Sequence, residues 1–171
     1  KALIRTKISN CIFQHNRSVG NGAGLAIISA PILGPTIIQD CQFLYNTIDD
    51  PSNDGIITDG AAISLTSYNL LDGSPPVFFV KNCFFFENMA LTNPTGIIIF
   101  EVTDTNSHLI IDSCHFKANY ASQKSGPIVV QNFTAEGTSG SSITVKNSVF
   151  EQNESHRSTC SISFANNNTI I

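Results

Sequence analysis

Tryptophan is absent, methionine occurs once, and Asp, Glu, Lys and Arg together make up 13% of the 171 residues. A chain this poor in charge but 42% hydrophobic is not disordered, because disorder needs low hydrophobicity and high net charge. Nine Lys and Arg stand against thirteen Asp and Glu, giving a net charge of −4 and no basic run. Nucleic acid is therefore excluded as an expected partner, since its binding depends on clustered cations that displace counterions from phosphate. No apolar run reaches the ~18–20 residues of a spanning helix. The opening KALIRTK has neither an initiator Met nor the apolar stretch of a signal peptide, so the chain is expected to begin after processing or within a longer protein. The best helix formers are scarce while Ile, Thr, Asn, Ser and Gly abound, which points to strands.

What is present is a phrase that recurs five times. It reads Ile8-Ser9-Asn10-Cys11-Ile12-Phe13-Gln14-His15-Asn16, then runs from Ile38 to Asn46, Val80 to Asn88, Ile111 to Asn119 and Val145 to Asn153. The template is a β-branched residue, any residue, Asn/Asp/Ser, Cys/Ser, any residue, Phe, two of any kind and Asn. Its Phe residues, Phe13, Phe43, Phe85, Phe116 and Phe150, are spaced by 30, 42, 31 and 34 residues. These intervals are too uneven for helical repeats and suit coils joined by loops of varying length.

Each phrase follows an apolar run of strand character, such as Val77-Phe78-Phe79-Val80 or Leu109-Ile110-Ile111. Alternation places residues three and five before the Cys column on one face, and Cys and Phe on one face of the next strand. Both sets are apolar yet differ in parity by one residue, which requires a bend at Asn10, Asp40, Asn82, Ser113 or Asn147. A further apolar strand closes each repeat, at Gly24–Ile27, Ala61–Leu65, Ile97–Phe100, Ile128–Val130 and Ser161–Phe164. The predicted fold is all-β, a single-stranded parallel β-helix of about five coils with three short strands per coil. It forms one domain over 1–171, with repeats near 3–34, 35–75, 76–106, 107–140 and 141–171. Stacking then predicts a Phe ladder, an Asn ladder at Asn16, Asn46, Asn88, Asn119 and Asn153, and a Cys ladder at Cys11, Cys41, Cys83 and Cys114 ending in Ser148.

Phe-x-x-Asn paired with small-residue strand starts, such as Gly22-Ala23-Gly24-Leu25 and Gly60-Ala61-Ala62-Ile63, resembles the repeats of polymorphic outer-membrane proteins. That family is built on FxxN and GGA[I/L/V] tetrapeptides. The resemblance implies a right-handed, pectate-lyase-like β-helix, a location outside the cell or at its surface, and a role in adhesion.

Sequence spacing also ranks the chemistry. The Cys column is read as buried thiols, with bridges between neighbouring coils as the alternative, because coils ~4.8 Å apart fall inside the disulfide window. No Cys-x-x-Cys occurs, so zinc is not expected. Sequons at Asn16, Asn132, Asn153 and Asn167 are candidate glycosylation sites, with Asn132 and Asn167 preferred because the other two belong to the ladder. Asp50, Ser52 and Asp54 alternate ahead of Gly55 as in a calcium loop, but Ala61 stands where a bidentate Glu is needed, so calcium is the weaker reading of an acidic turn. Glu87 and Glu151 are read as one column two coils apart, about 10 Å, too far for a retaining glycosidase pair and marginal for an inverting one. Outward Phe79, Phe84 and Phe86 are expected to be covered by the segment Tyr68-Asn69-Leu70-Leu71.

Neither end carries an evident cap, and the usual edge guards Lys and Glu are few, so end-to-end self-association is expected. The expected function is that of a non-enzymatic, extracellular structural or adhesive rod, glycosylated and joined to copies of itself, with glycans or host-surface ligands as further partners and no cofactor. The alternative is a polysaccharide lyase, hydrolase or carbohydrate-binding β-helix acting through Asp50, Asp54 or Asp59.

Overall fold

A computed structural model describes residues 6–19, 22–29, 34–49, 60–67, 76–91, 96–102, 107–121, 126–132, 142–155 and 162–165. Their regular structure is all strand, arranged in four parallel sheets of five strands each. Every coil contributes one strand to each sheet, and neighbours within a sheet come from successive coils. This is a parallel β-helix of five coils.

The first sheet stacks Thr6–Ser9, Thr36–Gln39, Val77–Lys81, His108–Asp112 and Ser142–Lys146. The second stacks Ile12–Gln14, Gln42–Leu44, Phe84–Phe86, His115–Lys117 and Val149–Glu151. The fourth, of longer strands, holds Leu25–Ser29, Gly60–Ser67, Gly96–Val102, Ile128–Asn132 and Ile162–Ala165. Between second and fourth lies a third sheet of two-residue strands: Arg17–Ser18, Thr47–Ile48, Met89–Ala90, Tyr120–Ala121 and Glu154–Ser155. The coil thus has four strands where three were expected. Two residues are too short for periodicity to register, and the added strand follows directly on the ladder Asn.

The expected parity is what the molecule adopts. Ile38, Phe78, Val80, Leu109 and Ile111 point inward from the first sheet and Phe43, Phe85 and Phe116 from the second, all essentially inaccessible to solvent. The change of parity occurs at Asn10, Asp40, Asn82, Ser113 and Asn147, each with a φ between 50° and 56°. Asn, Asp and Ser tolerate this left-handed conformation better than most residues because their short polar side chains bond locally. The coil-to-coil ladder runs through the bend, with Asp40 N–H donating to the Lys81 carbonyl at 3.0 Å and Asn82 N–H to that of Asp112 at 3.0 Å.

A second bend of the same kind was not anticipated. His15, Tyr45, Glu87, Ala118 and Gln152, each one place before the ladder Asn, have φ between 49° and 56°. No residue type marks this column. The conformation is held from outside, by the Phe inserted on one side and the Asn on the other.

Small residues at the start of the fourth sheet have a packing cause. At Gly24 an added Cβ would lie 2.6 Å from the Ala62 carbonyl oxygen and 3.1 Å from the Phe43 ring, so only glycine lets the strand pass over the ring. Gly22 takes a φ of +66° two residues earlier.

A left-handed residue other than glycine costs roughly 1–2 kcal/mol, so Ala118→Gly should stabilise the protein by about 0.5–1 kcal/mol despite its added backbone entropy. Urea denaturation measures this; a loss of stability would show that the bend is unstrained.

Candidate functional site: ladders and a lateral groove

The interior is built from two ladders. Rings of Phe13, Phe43, Phe85, Phe116 and Phe150 stack with successive centroid distances of 4.8, 5.1, 4.5 and 4.8 Å and interplanar angles of at most 7°. Beside them run the asparagines. Asn88 is completely buried; its Nδ2 donates to the Phe43 carbonyl at 2.9 Å and to Asn119 Oδ1 at 3.0 Å, and its Oδ1 accepts from the Asn46 backbone N–H at 3.0 Å and Asn46 Nδ2 at 2.9 Å. Asn46 and Asn119 repeat the pattern. Each amide meets four bonding demands, all in the coils on either side.

The cysteines form a third column. Cys11, Cys41, Cys83 and Cys114 are free thiols. Each Sγ donates to the carbonyl two residues earlier, at 3.3, 3.1, 3.2 and 3.5 Å in order. Ser148 closes the column with its Oγ on the Lys146 carbonyl at 2.9 Å, a hydroxyl in place of a thiol where the site is more open. Burial pushes the Cys41 thiol up, and the hydrogen bond to Cys114 together with burial pushes Cys83 far above the ordinary thiol range.

On the outer walls most charges are paired. Asp112 is held below the usual carboxylate range first by the Asn147 amide, which donates at 3.0 Å, with help from Ser113 and Lys146. Glu151 is lowered by Lys117 at 3.0 Å and by His115 at 3.2 Å. Glu151 does not share a column with Glu87: it pairs in register with Lys117, which pairs with Phe86, whereas Glu87 stands one residue further on. The expected column was misaligned by one position. Phe79 is covered by Lys81, whose Nζ lies 4.8 Å from the ring centre, and Phe84 packs against Phe86 and His115. The segment 68–71, expected to cover these rings, lies outside the described residues.

The second bend and the short third sheet form a concave elbow along the rod. It holds an open groove of about 550 Å³ over the second to fifth coils. Tyr45, Glu87, Ala118 and Gln152 of the bend column line one side; Thr47, Met89, Tyr120 and Glu154 of the third sheet line the other, and Asn119 forms the floor. Tyr45 is fixed by stacking on His15 at 4.8 Å and by the edge contact of Phe86 at 5.5 Å. The groove was missed in the sequence because it follows from the unanticipated bend. Its one readable signal is the aligned column itself, in which Ala118 is small between Glu87 and Gln152.

The other sequence candidates are placed as follows. Asn16 Nδ2 donates to Asn46 Oδ1 at 2.9 Å and Asn153 Nδ2 to the Phe116 carbonyl at 2.8 Å, so both sequon amides are engaged in the ladder. Asn132 ends a strand of the fourth sheet. Asn167, Asp50, Ser52, Asp54, Asp59 and Cys160 lie outside the described residues. Among the described residues, no three of His, Cys, Asp and Glu gather as metal ligands would, and no helix is long and apolar enough to cross a membrane. No family model, curated protein or solved structure compared with the chain matches it.

Because a buried sulfur is closed to the reagent, Cys41, Cys83 and Cys114 should alkylate with iodoacetamide on the order of 100-fold more slowly in native than in urea-unfolded protein, with the partly exposed Cys11 the fastest of the four. Mass spectrometry of labelled peptides reads the rates; native labelling as fast as unfolded would contradict the buried column.

Proposed function

We propose that the protein is a non-enzymatic structural or adhesive rod of the cell exterior that lengthens by stacking copies of itself end to end. The observation that carries this reading is the state of the two end coils. Ile8, Phe13, Leu25 and Ile27 in the first coil, and Ile143, Val145, Phe150 and Ile162 in the last, pack on the core but are only partly buried. The strands of those coils each have one edge without a partner among the described residues. Such a face is a template for a further coil of the same repeat, and a second copy of the chain is the source proposed here.

The ladders favour the same partner. Beyond Asn153 the next acceptor in the column would be an Oδ1 placed as Asn46 Oδ1 is for Asn16, which an incoming first coil supplies. The contact is head to tail, so it propagates rather than closing at a dimer. Glycans on Asn132 or Asn167 would add the solubility that the sparse surface charge does not, and an exterior location follows from the resemblance of the repeats to surface proteins.

Sedimentation velocity over a range of concentrations, with electron microscopy of the same samples, tests assembly. The expected result is a mass that rises in multiples of the 18.4 kDa chain and rods that lengthen accordingly. Ile143→Lys, at an end face, should abolish lengthening and leave the circular dichroism of the single chain unchanged. A single species of one chain at high concentration would overturn the proposal.

A further inference from the structure

The lateral groove carries charge that nothing in the described chain neutralises. Asp49 pairs with Arg17, Asp112 with Lys146, and Glu151 with Lys117 and His115, while Asp40 accepts from Asn82 and Gln39. Among the described side chains, Glu87 and Glu154 are the carboxylates with neither an ion pair nor a side-chain hydrogen bond, and both line the groove. No Lys, Arg or His lines it with them.

The rest of the lining suits a cation. The Tyr45 and Tyr120 rings and the Met89 thioether supply polarisable walls, and an ammonium group gains both from a ring face and from a carboxylate within reach. Both carboxylates are exposed to solvent, and a concave surface of one sign concentrates ions of the other and repels ions of its own, which favours a cationic ligand over an acidic one. Glu87 and Glu154 belong to the third and fifth coils, which sets their backbones ~10 Å apart along the axis. At that separation two carboxylates can each take a different group of one extended ligand.

Ala118 makes the space. Its φ of 53° matches the 49° of Glu87 and 55° of Gln152, so the backbone there accepts a long side chain, yet the residue ends at Cβ. The gap lies midway between the carboxylates and opens onto the groove of about 550 Å³, within the 300–1,000 Å³ typical of ligand sites.

We infer that the groove binds ligands bearing two or more ammonium groups on a slender chain, the chemistry shared by linear polyamines and by oligomers of unacetylated amino sugars. The site lies on the side wall and is present in a single coil stack, so the inference does not depend on end-to-end assembly.

Isothermal titration of the full chain with spermidine, a glucosamine tetramer and the N-acetylated tetramer tests it. Binding of either cationic probe in preference to the acetylated one is the expected result, with spermidine alone indicating a polyamine ligand and the glucosamine tetramer alone an amino-sugar ligand. Glu87→Gln and Glu154→Gln should each weaken that binding about tenfold, the scale of one lost charge-assisted hydrogen bond, while Asp40→Asn leaves it unchanged. Ala118→Gln should abolish it by filling the gap, with the melting curve retained because the column already holds Gln152 at the same φ. Equal binding of the acetylated tetramer, no binding of either cationic probe, or indifference to all three groove substitutions would overturn the inference.

Discussion

Every buried polar group of the Asn column finds its partner in a neighbouring coil, and the rest of the fold depends on that arrangement. A coil by itself would leave the Asn46 backbone N–H and the Phe43 carbonyl without partners in a dry interior; Asn88 answers both. Such groups cost about 1–3 kcal/mol each when left unmade. The amide therefore does more than bridge: it sets the coil spacing at which the Phe rings meet at 4.5–5.1 Å and the sheets come into register. It also holds the residue before it in a left-handed conformation that its own side chain would not choose, and this is what bends the wall into a groove.

The same dependence explains how function is distributed. Inside, one chemistry is repeated at each level: aromatic rings, amides and thiols protected by burial. Outside, each column is free to vary, since outward side chains are not needed to hold the coil. The bend column accordingly holds His15, Tyr45, Glu87, Ala118 and Gln152, and its variation from coil to coil creates a local site on a periodic frame. In the first and last described coils the inward apolar residues are only partly buried.

The interior was readable in the sequence because packing confines it to few residue types. Phe13 to Phe150, the Asn and Cys columns, and the first bend at Asn10 and its equivalents all stand in the repeated phrase, and the structure places them as their parity requires. What could not be read is what tertiary stacking imposes on unremarkable residues. Glu87 and Ala118 carry no local preference for positive φ, and a two-residue strand such as Met89–Ala90 has no period to detect. The alignment of Glu87 with Glu151 failed for a simpler reason: in the repeated phrase Glu87 stands one place before the ladder Asn88 and Glu151 two places before Asn153, so the phrase itself separates them by one column.

Whether the amide ladder sets the fold is tested most directly by removing its most buried member. Asn88→Ala deprives the buried Asn46 N–H of its acceptor and the Phe43 carbonyl of its side-chain donor. Urea denaturation should show a loss of about 3–5 kcal/mol, several times what an ordinary surface substitution costs. A change below about 1 kcal/mol would mean that the apolar stack holds the coils in register by itself, and that the amides follow the packing instead of setting it.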